Sequence, residues 1–129
     1  MWNDPGGLIT DHEAKWKSVQ RSGRRVKILG YCASACTLFM KYVPRDRVCV
    51  GPRAELGFHP VSEPDPDDVR DIRVDKKRRV YSKRGTEYVY KQYPKDVRKW
   101  IDDHGGLGTD VDHMLMLRGR DLRKFYDPC

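Results

Sequence analysis

The stretch Gly30-Tyr31-Cys32-Ala33-Ser34-Ala35-Cys36-Thr37-Leu38-Phe39-Met40 constrains this chain more than any other. A β-type run, Val26-Lys27-Ile28-Leu29, leads into it, and its second half is apolar and compatible with a helix. At the joint sit the small residues Gly30, Cys32, Ala33, Ser34, Ala35 and Cys36. Where a strand turns straight into a helix, the first helical N–H groups lack partners and the helix dipole favours negative charge. A serine at that point either caps the helix or acts as a nucleophile with an amide behind it for an oxyanion. The stretch alone leaves both readings open.

With 129 residues the chain is expected to form one domain, 1–129. Hydrophobic residues make up 38% and charged ones 35%, polar for a globular domain but not the composition of a disordered chain. The 26 Lys and Arg against 19 Asp and Glu give a net charge of +7. That balance admits an acidic partner, but the two signs are interspersed, as on a solvated surface. No apolar run reaches 18 residues, so no integral membrane segment is expected. The first seven residues do not read as a signal peptide, so the sequence as written reads as cytoplasmic, or periplasmic if a signal peptide precedes it. Cys32, Cys36, Cys49 and Cys129 permit two disulfides in three connectivities. Cys32 and Cys36 also suit small buried positions, whereas export would bring Cys49 or Cys129 into a disulfide. The spacing of Cys32 and Cys36 is not that of a zinc ribbon and the histidines are scattered, so no metal and no cofactor are expected.

Along the chain, Asn3-Asp4-Pro5-Gly6-Gly7 reads as a turn. A helix capped by Thr10 or Asp11 follows, carries a half-buried Trp16 and stops at Ser22-Gly23. Strands are expected at Arg25 to Leu29, Val48 to Val50 and Ala54 to His59, with a mostly buried helix from Ala35 to Tyr42. Such alternation implies an α/β fold with a largely parallel core. Residues 60–68, with three prolines and several acids, read as an exposed loop, and 63–84 as a charged loop or arm centred on Lys76-Lys77-Arg78-Arg79. Helices follow at 86–93 and Lys95 to Asp103, the latter with Val97, Trp100 and Ile101 on one face. Met114 to Leu117 is a strand or buried turn, and Asp121 to Tyr126 a short terminal helix.

A serine hydrolase needs a nucleophile, a general base and usually an acid that orients the base. Ser34 follows one expected strand, and His59 ends the next strand but one. In a parallel sheet those ends share the ligand crevice, so the pair can meet there. The Gly-x-Ser-x-Gly elbow of α/β-hydrolases is absent, because Ala33 and Ala35 flank the serine.

Three segments resemble the ClpP/crotonase superfamily, and in particular ClpP-like serine-peptidase-type bacterial proteins. Asn3-Asp4-Pro5-Gly6-Gly7 is similar to the family's Asn-Ser-Pro-Gly-Gly turn. Gly30-Tyr31-Cys32-Ala33-Ser34-Ala35-Cys36 resembles its nucleophile segment. Arg53-Ala54-Glu55-Leu56-Gly57-Phe58-His59-Pro60 resembles the strand that delivers its histidine. The matches run in the family's order through about the first 60 residues. The resemblance implies a partly parallel sheet of ββα-type units with flanking helices, with the family's first strand and helix missing. It implies Ser34 as nucleophile and His59 as base, with an oxyanion hole from the N–H of Ala35 and of Gly7, Gly6 being the second choice. The triad acid would be Asp112, ahead of Asp110 and Asp121, and the substrate a peptide or protein.

The chain departs from that pattern in three places. The turn begins at residue 3, where the family has a preceding strand and helix; their loss would expose a sheet edge and loosen the oxyanion hole. Asp4 stands in place of a small serine. The charged stretch 63–84 replaces a helix that makes subunit contacts in ClpP-type peptidases, so a homo-oligomer stays open but a barrel-shaped one does not carry over. Two other function classes compete with a hydrolase: an inactive scaffold or binding protein of the same fold, and a basic nucleic-acid-binding domain using Lys76 to Arg79. No known nucleic-acid signature supports the latter. Nothing marks a CoA site of the crotonase kind.

Overall fold

The computed structural model of the chain describes residues 1–68 and 78–129. It is a mixed α/β structure of small parallel and mixed sheets with packed helices. Helix α1 (Ile9–Ser22) ends where Gly23 takes a left-handed conformation, φ 70°, a backbone state that glycine enters without a Cβ penalty. Leu8 precedes the helix and no side chain caps it, so neither Thr10 nor Asp11 has the capping role. Trp16 is buried, not half-buried, with its ring edge-on to Phe39 at 5.8 Å.

Two short strands follow, β1 (Val26–Ile28) and β2 (Tyr31–Ala33), separated at Leu29-Gly30. A 3-10 turn (Ser34–Leu38) runs into helix α2 (Phe39–Tyr42), and then come β3 (Val48–Val50) and β4 (Glu55–Phe58). Strand β1 pairs in parallel with β3, and β2 in parallel with β4. A parallel pair needs a crossover, and here one helical segment, residues 34–42, serves both. The expected single strand up to Leu29 is therefore half of a two-strand unit. Tyr31–Ala33 was expected to belong to the joint, but it alternates too briefly to show a period.

The helical segment β2 leads into is 3-10 from Ser34 to Leu38 and packs against β4 and α1. The two sheets are completed from the far end of the chain. β7 (Leu115–Arg118) adds antiparallel to β4, and β8 (Asp127–Pro128) adds parallel to β3. A short helix, α5 (Gly119–Leu122), links them; the terminal segment is thus a turn of helix followed by a strand, not a helix through Tyr126.

Residues 60–68 are not simply an exposed loop. β5 (Ser62–Pro64) pairs antiparallel with β6 (Arg79–Tyr81), and Asp65 is buried beside Arg78. A buried carboxylate needs such a partner. Lys76, Lys77 and the rest of the charged stretch up to residue 77 lie outside the described residues. Helix α3 (Lys83–Gln92) is capped by Ser82, whose hydroxyl accepts from Gly85 N–H, and α4 (Lys95–Asp103) starts after Pro94. Val97 and Ile101, one helical turn apart, are fully buried, as the apolar spacing predicts. Phe58 packs edge-on against Tyr93 at 5.1 Å, tying the end of β4 to the loop between α3 and α4. Among the described residues no helix is long and apolar enough to cross a membrane.

All four cysteines are bridged, Cys32 to Cys36 and Cys49 to Cys129. Cys32 and Cys36 are buried, as expected, but as a disulfide rather than as two free thiols. Oxidation leaves no thiolate to ligate a metal.

Candidate active site

The parallel register of β2 and β4 builds the site. Ala33 lies opposite Gly57, so the residues that follow each strand, Ser34 and then His59, emerge at the same edge of the sheet. Gly57 has no side chain because there is no room for one: a Cβ there would stand 2.8 Å from Met114 Sδ and 3.1 Å from Ala33 Cβ. The two strands are thereby held together just below the site.

Ser34 has φ 56°, the one non-glycine residue with positive φ among the described residues. The left-handed region costs a residue with a Cβ of order 1 kcal/mol or more and is kept only where surrounding structure enforces it. Three contacts enforce it here. The Cys32–Cys36 disulfide ties the backbone on both sides of Ser34. Thr37 Oγ1 donates to the Ser34 carbonyl at 2.5 Å. Tyr93 lies 2.6 Å from Thr37 Oγ1; since the threonine proton is already committed, the phenol donates. Burial pushes the Tyr93 phenol well above its usual range, the hydrogen bond to Thr37 acting the other way, and it stays neutral.

The glycine turn lies directly on the serine. A Cβ on Gly6 would come 2.7 Å from Ser34 Cβ, 2.8 Å from the Ala33 carbonyl oxygen and 3.3 Å from Ser34 Oγ, and Gly6 has φ 97°. Gly6→Ala is therefore expected to cost about 2–3 kcal/mol of stability, from left-handed strain plus collision with backbone. A urea denaturation midpoint equal to wild type would contradict this.

Residues 1–4 hold the turn in place. Asp4 N–H donates to Tyr31 O at 2.7 Å and Ala33 N–H to Asp4 O at 2.9 Å, so Asp4 bridges in parallel to Cys32 at the edge of β2. The expected loosening of the turn is thus countered by the segment that carries it. Gly30 permits this approach, because a Cβ there would meet Trp2 O at 2.3 Å.

Asp4 also closes the turn from within. Its Oδ1 accepts from Gly6 N–H at 3.0 Å, an Asx-type turn. Its Oδ2 lies 3.0 Å from His12 Nε2 and 3.6 Å from Lys15 Nζ. Burial acts to raise the Asp4 pKa, but the bonds from Gly6 and His12 and the charges of His12 and Lys15 outweigh it and hold it below 3.8. A carboxylate with a depressed folded pKa contributes stability above its unfolded pKa, and that contribution is lost as pH falls through the folded value. The stability gap between wild type and Asp4→Asn is expected to be full above about pH 5 and to narrow as pH falls below the ordinary carboxylate range through the lowered folded pKa. Urea midpoints across that range test it; a gap independent of pH would refute it.

Gly6 N–H is thus already used by Asp4. The N–H groups of Gly7 and Ala35 have no acceptor among the described residues, and Ala35 stands in the first turn of its helical segment, where none is available within the helix. Gly7, Ser34, Ala35 and His59 all line one cleft of about 290 Å³, together with Val61, Arg79 and Tyr93.

His59 is half-buried, and its Nδ1 lies 2.6 Å from the Pro60 carbonyl oxygen. A carbonyl only accepts, so Nδ1 carries a proton, and in the neutral ring Nε2 is the nitrogen with the free lone pair. No hydrogen bond joins Ser34 Oγ to His59 in this structure; such bonds often tighten only when substrate is bound. The three candidate acids do not line the cleft. Asp112 is exposed, its N–H donating to Asp110 Oδ1 at 3.0 Å, and Asp121 pairs with Lys124 at 3.3 Å.

Sequence reasoning missed Thr37, Tyr93 and Arg79. Thr37 and Tyr93 are far apart in the chain and meet only through the packing of α3 and α4, and Arg79 sat within a run read as surface charge. No family model matches the chain, and no curated protein matches it significantly.

Proposed function

We propose that the chain is a serine hydrolase of the ClpP/crotonase type that cleaves peptides or proteins by acyl transfer. One observation carries the reading. A serine held at positive φ at the head of a helical turn shares a cleft with a histidine whose Nδ1 proton is already committed and with two unpaired N–H groups. Strained backbone of this kind concentrates at functional sites.

In this reading Ser34 Oγ attacks the scissile carbonyl carbon while His59 Nε2 takes its proton. The carbonyl oxygen, now negative, is held by the N–H groups of Gly7 and Ala35, each such donor typically worth about 10²–10³ in rate. His59 then gives the proton to the leaving amine, and water repeats the sequence on the acyl-serine. Asp112 does not line the cleft and makes no hydrogen bond to His59 among the described residues, so the reading assigns the orienting of the imidazole to the Pro60 carbonyl. A neutral carbonyl stabilises imidazolium less than a carboxylate does, which favours a slow enzyme. The two disulfides fit an oxidising compartment.

A fluorophosphonate probe tests this directly. It is expected to form an adduct that maps to the peptide containing Ser34, at a rate that falls with His59→Ala. Folded protein that forms no adduct would overturn the proposal. The second reading, an inactive member of the same fold that binds peptide in the cleft, is favoured by the absence of a carboxylate at His59 among the described contacts. It predicts peptide binding without labelling.

A further inference from the structure

The cleft around Ser34 is lopsided in charge. Arg79 lines it, no Asp or Glu does, and Ile9, Val61 and Val89 give it apolar walls. The arginine is aimed by its own strand pair: Nη2 donates to Ser62 O at 2.7 Å and Nε to Ser62 Oγ at 3.1 Å. Both acceptors are neutral, so the hydrogen bonds fix the fork without compensating its charge. A guanidinium has five N–H donors, and no carboxylate pairs with this one among the described residues. The neighbouring arginine is used differently: Arg78, just before β6, pairs with buried Asp65.

We infer that Arg79 is a specificity residue that reads a carboxylate on the bound chain, so that the cleft prefers acidic peptides. A glutamate or aspartate side chain and a free chain terminus present the same group, and a rigid guanidinium fork fits either bidentately. The inference rests on the reading of the cleft as a peptide site, but not on catalysis.

Binding therefore separates it from the hydrolase proposal. The full chain carrying Ser34→Ala is titrated by fluorescence anisotropy with short peptides bearing a neutral dye. One set places a single glutamate at successive positions, a matched set has glutamine there, and each is made with a free and an amidated C-terminus. At least one glutamate position, or the free terminus, is expected to bind about tenfold tighter than its neutral match. Adding Arg79→Gln should bring the ratio to near one, Arg79→Lys should keep part of it, and Lys124→Gln, in the turn after α5 and outside the cleft lining, should keep all of it. Circular dichroism identifies any variant that fails to fold, and Arg79→Lys, which keeps the charge, then carries the test. Equal binding of acidic and neutral peptides, binding of neither, or a preference that survives Arg79→Gln would overturn the inference. Loss of fluorophosphonate labelling in wild type with the preference intact would instead remove only the hydrolase reading.

Discussion

Ser34→Ala is expected to abolish hydrolysis of any substrate the protein turns over, by about 10⁴–10⁶-fold in kcat, with fluorophosphonate labelling lost altogether. The size of the loss follows from what stays behind. In the proposed hydrolase the variant would keep the cleft, His59 and both N–H groups, and so would still bind and polarise a carbonyl, but would have no atom with which to form the acyl intermediate. Stability should move the other way or hardly at all, because alanine loses no hydrogen bond: Ser34 Oγ makes none among the described residues, and the bond from Thr37 goes to the backbone carbonyl. The left-handed φ of 56° remains unfavourable for alanine. Gln or Asn at position 59 separates the base from the nucleophile, since either leaves Ser34 in place and should lower labelling without removing it. Hydrolysis that survives Ser34→Ala would show that another group is the nucleophile.

The second large effect is on stability. Opening the Cys49–Cys129 bridge by replacing both residues with alanine is expected to cost about 4 kcal/mol at 25 °C. The bridge spans a sequence separation of 80, and in the chain-entropy account such a loop is costly to close in the unfolded state. What the bridge holds is otherwise weak. β8 has two residues, and beyond it Cys129 N–H donates to Val50 O at 3.0 Å. Tyr126, just before β8, is buried beside Phe39 with ring centroids 5.6 Å apart, and burial first of all pushes its phenol up to about 12. Without the bridge, the segment that completes the β1–β3 sheet would depend on that packing and on its short pairing with β3. Against a typical total of about 5–15 kcal/mol, the loss is a large share. A urea midpoint lower by about 2 M is the expected readout; a shift below about 0.3 M would show that the terminal strand is held by its packing and not by the bridge.

Much of the candidate site was legible from the first 60 residues because its parts are local. A Gly-Gly turn, a serine among small residues and a strand ending in histidine each declare themselves within a few positions, and parallel pairing then fixes which ends meet. Helix α4 was legible for a similar reason, since Val97 and Ile101 recur at the helical period. β2 and β8 were not, because strands of two or three residues carry no period of their own and exist through their partners. β5 and β6 were hidden by composition: proline and charge mark a loop, yet Asp65 and Arg78 neutralise each other in the fold. The role of Asp4 was also hidden. In the sequence it read only as an acid in place of a small serine, whereas its carboxylate takes up Gly6 N–H and leaves Gly7 as the glycine with an open donor.

The Cys32–Cys36 bridge makes a small ring of the backbone, with Ser34 at its middle. In an open chain the conformation at such a point depends on the helix that follows, and fraying of that helix would release it. Inside the ring, the torsions on either side of Ser34 are coupled to each other, so one cannot relax without the rest. The conformation of residue 34 is thereby decoupled from the length and stability of α2, which has only four residues. Both sulfur-bearing residues are sealed from solvent at 0% exposure, so a reductant reaches the ring only after the surrounding core has opened. The clasp and the core then fail together, and the orientation of Ser34 persists for as long as the protein is folded.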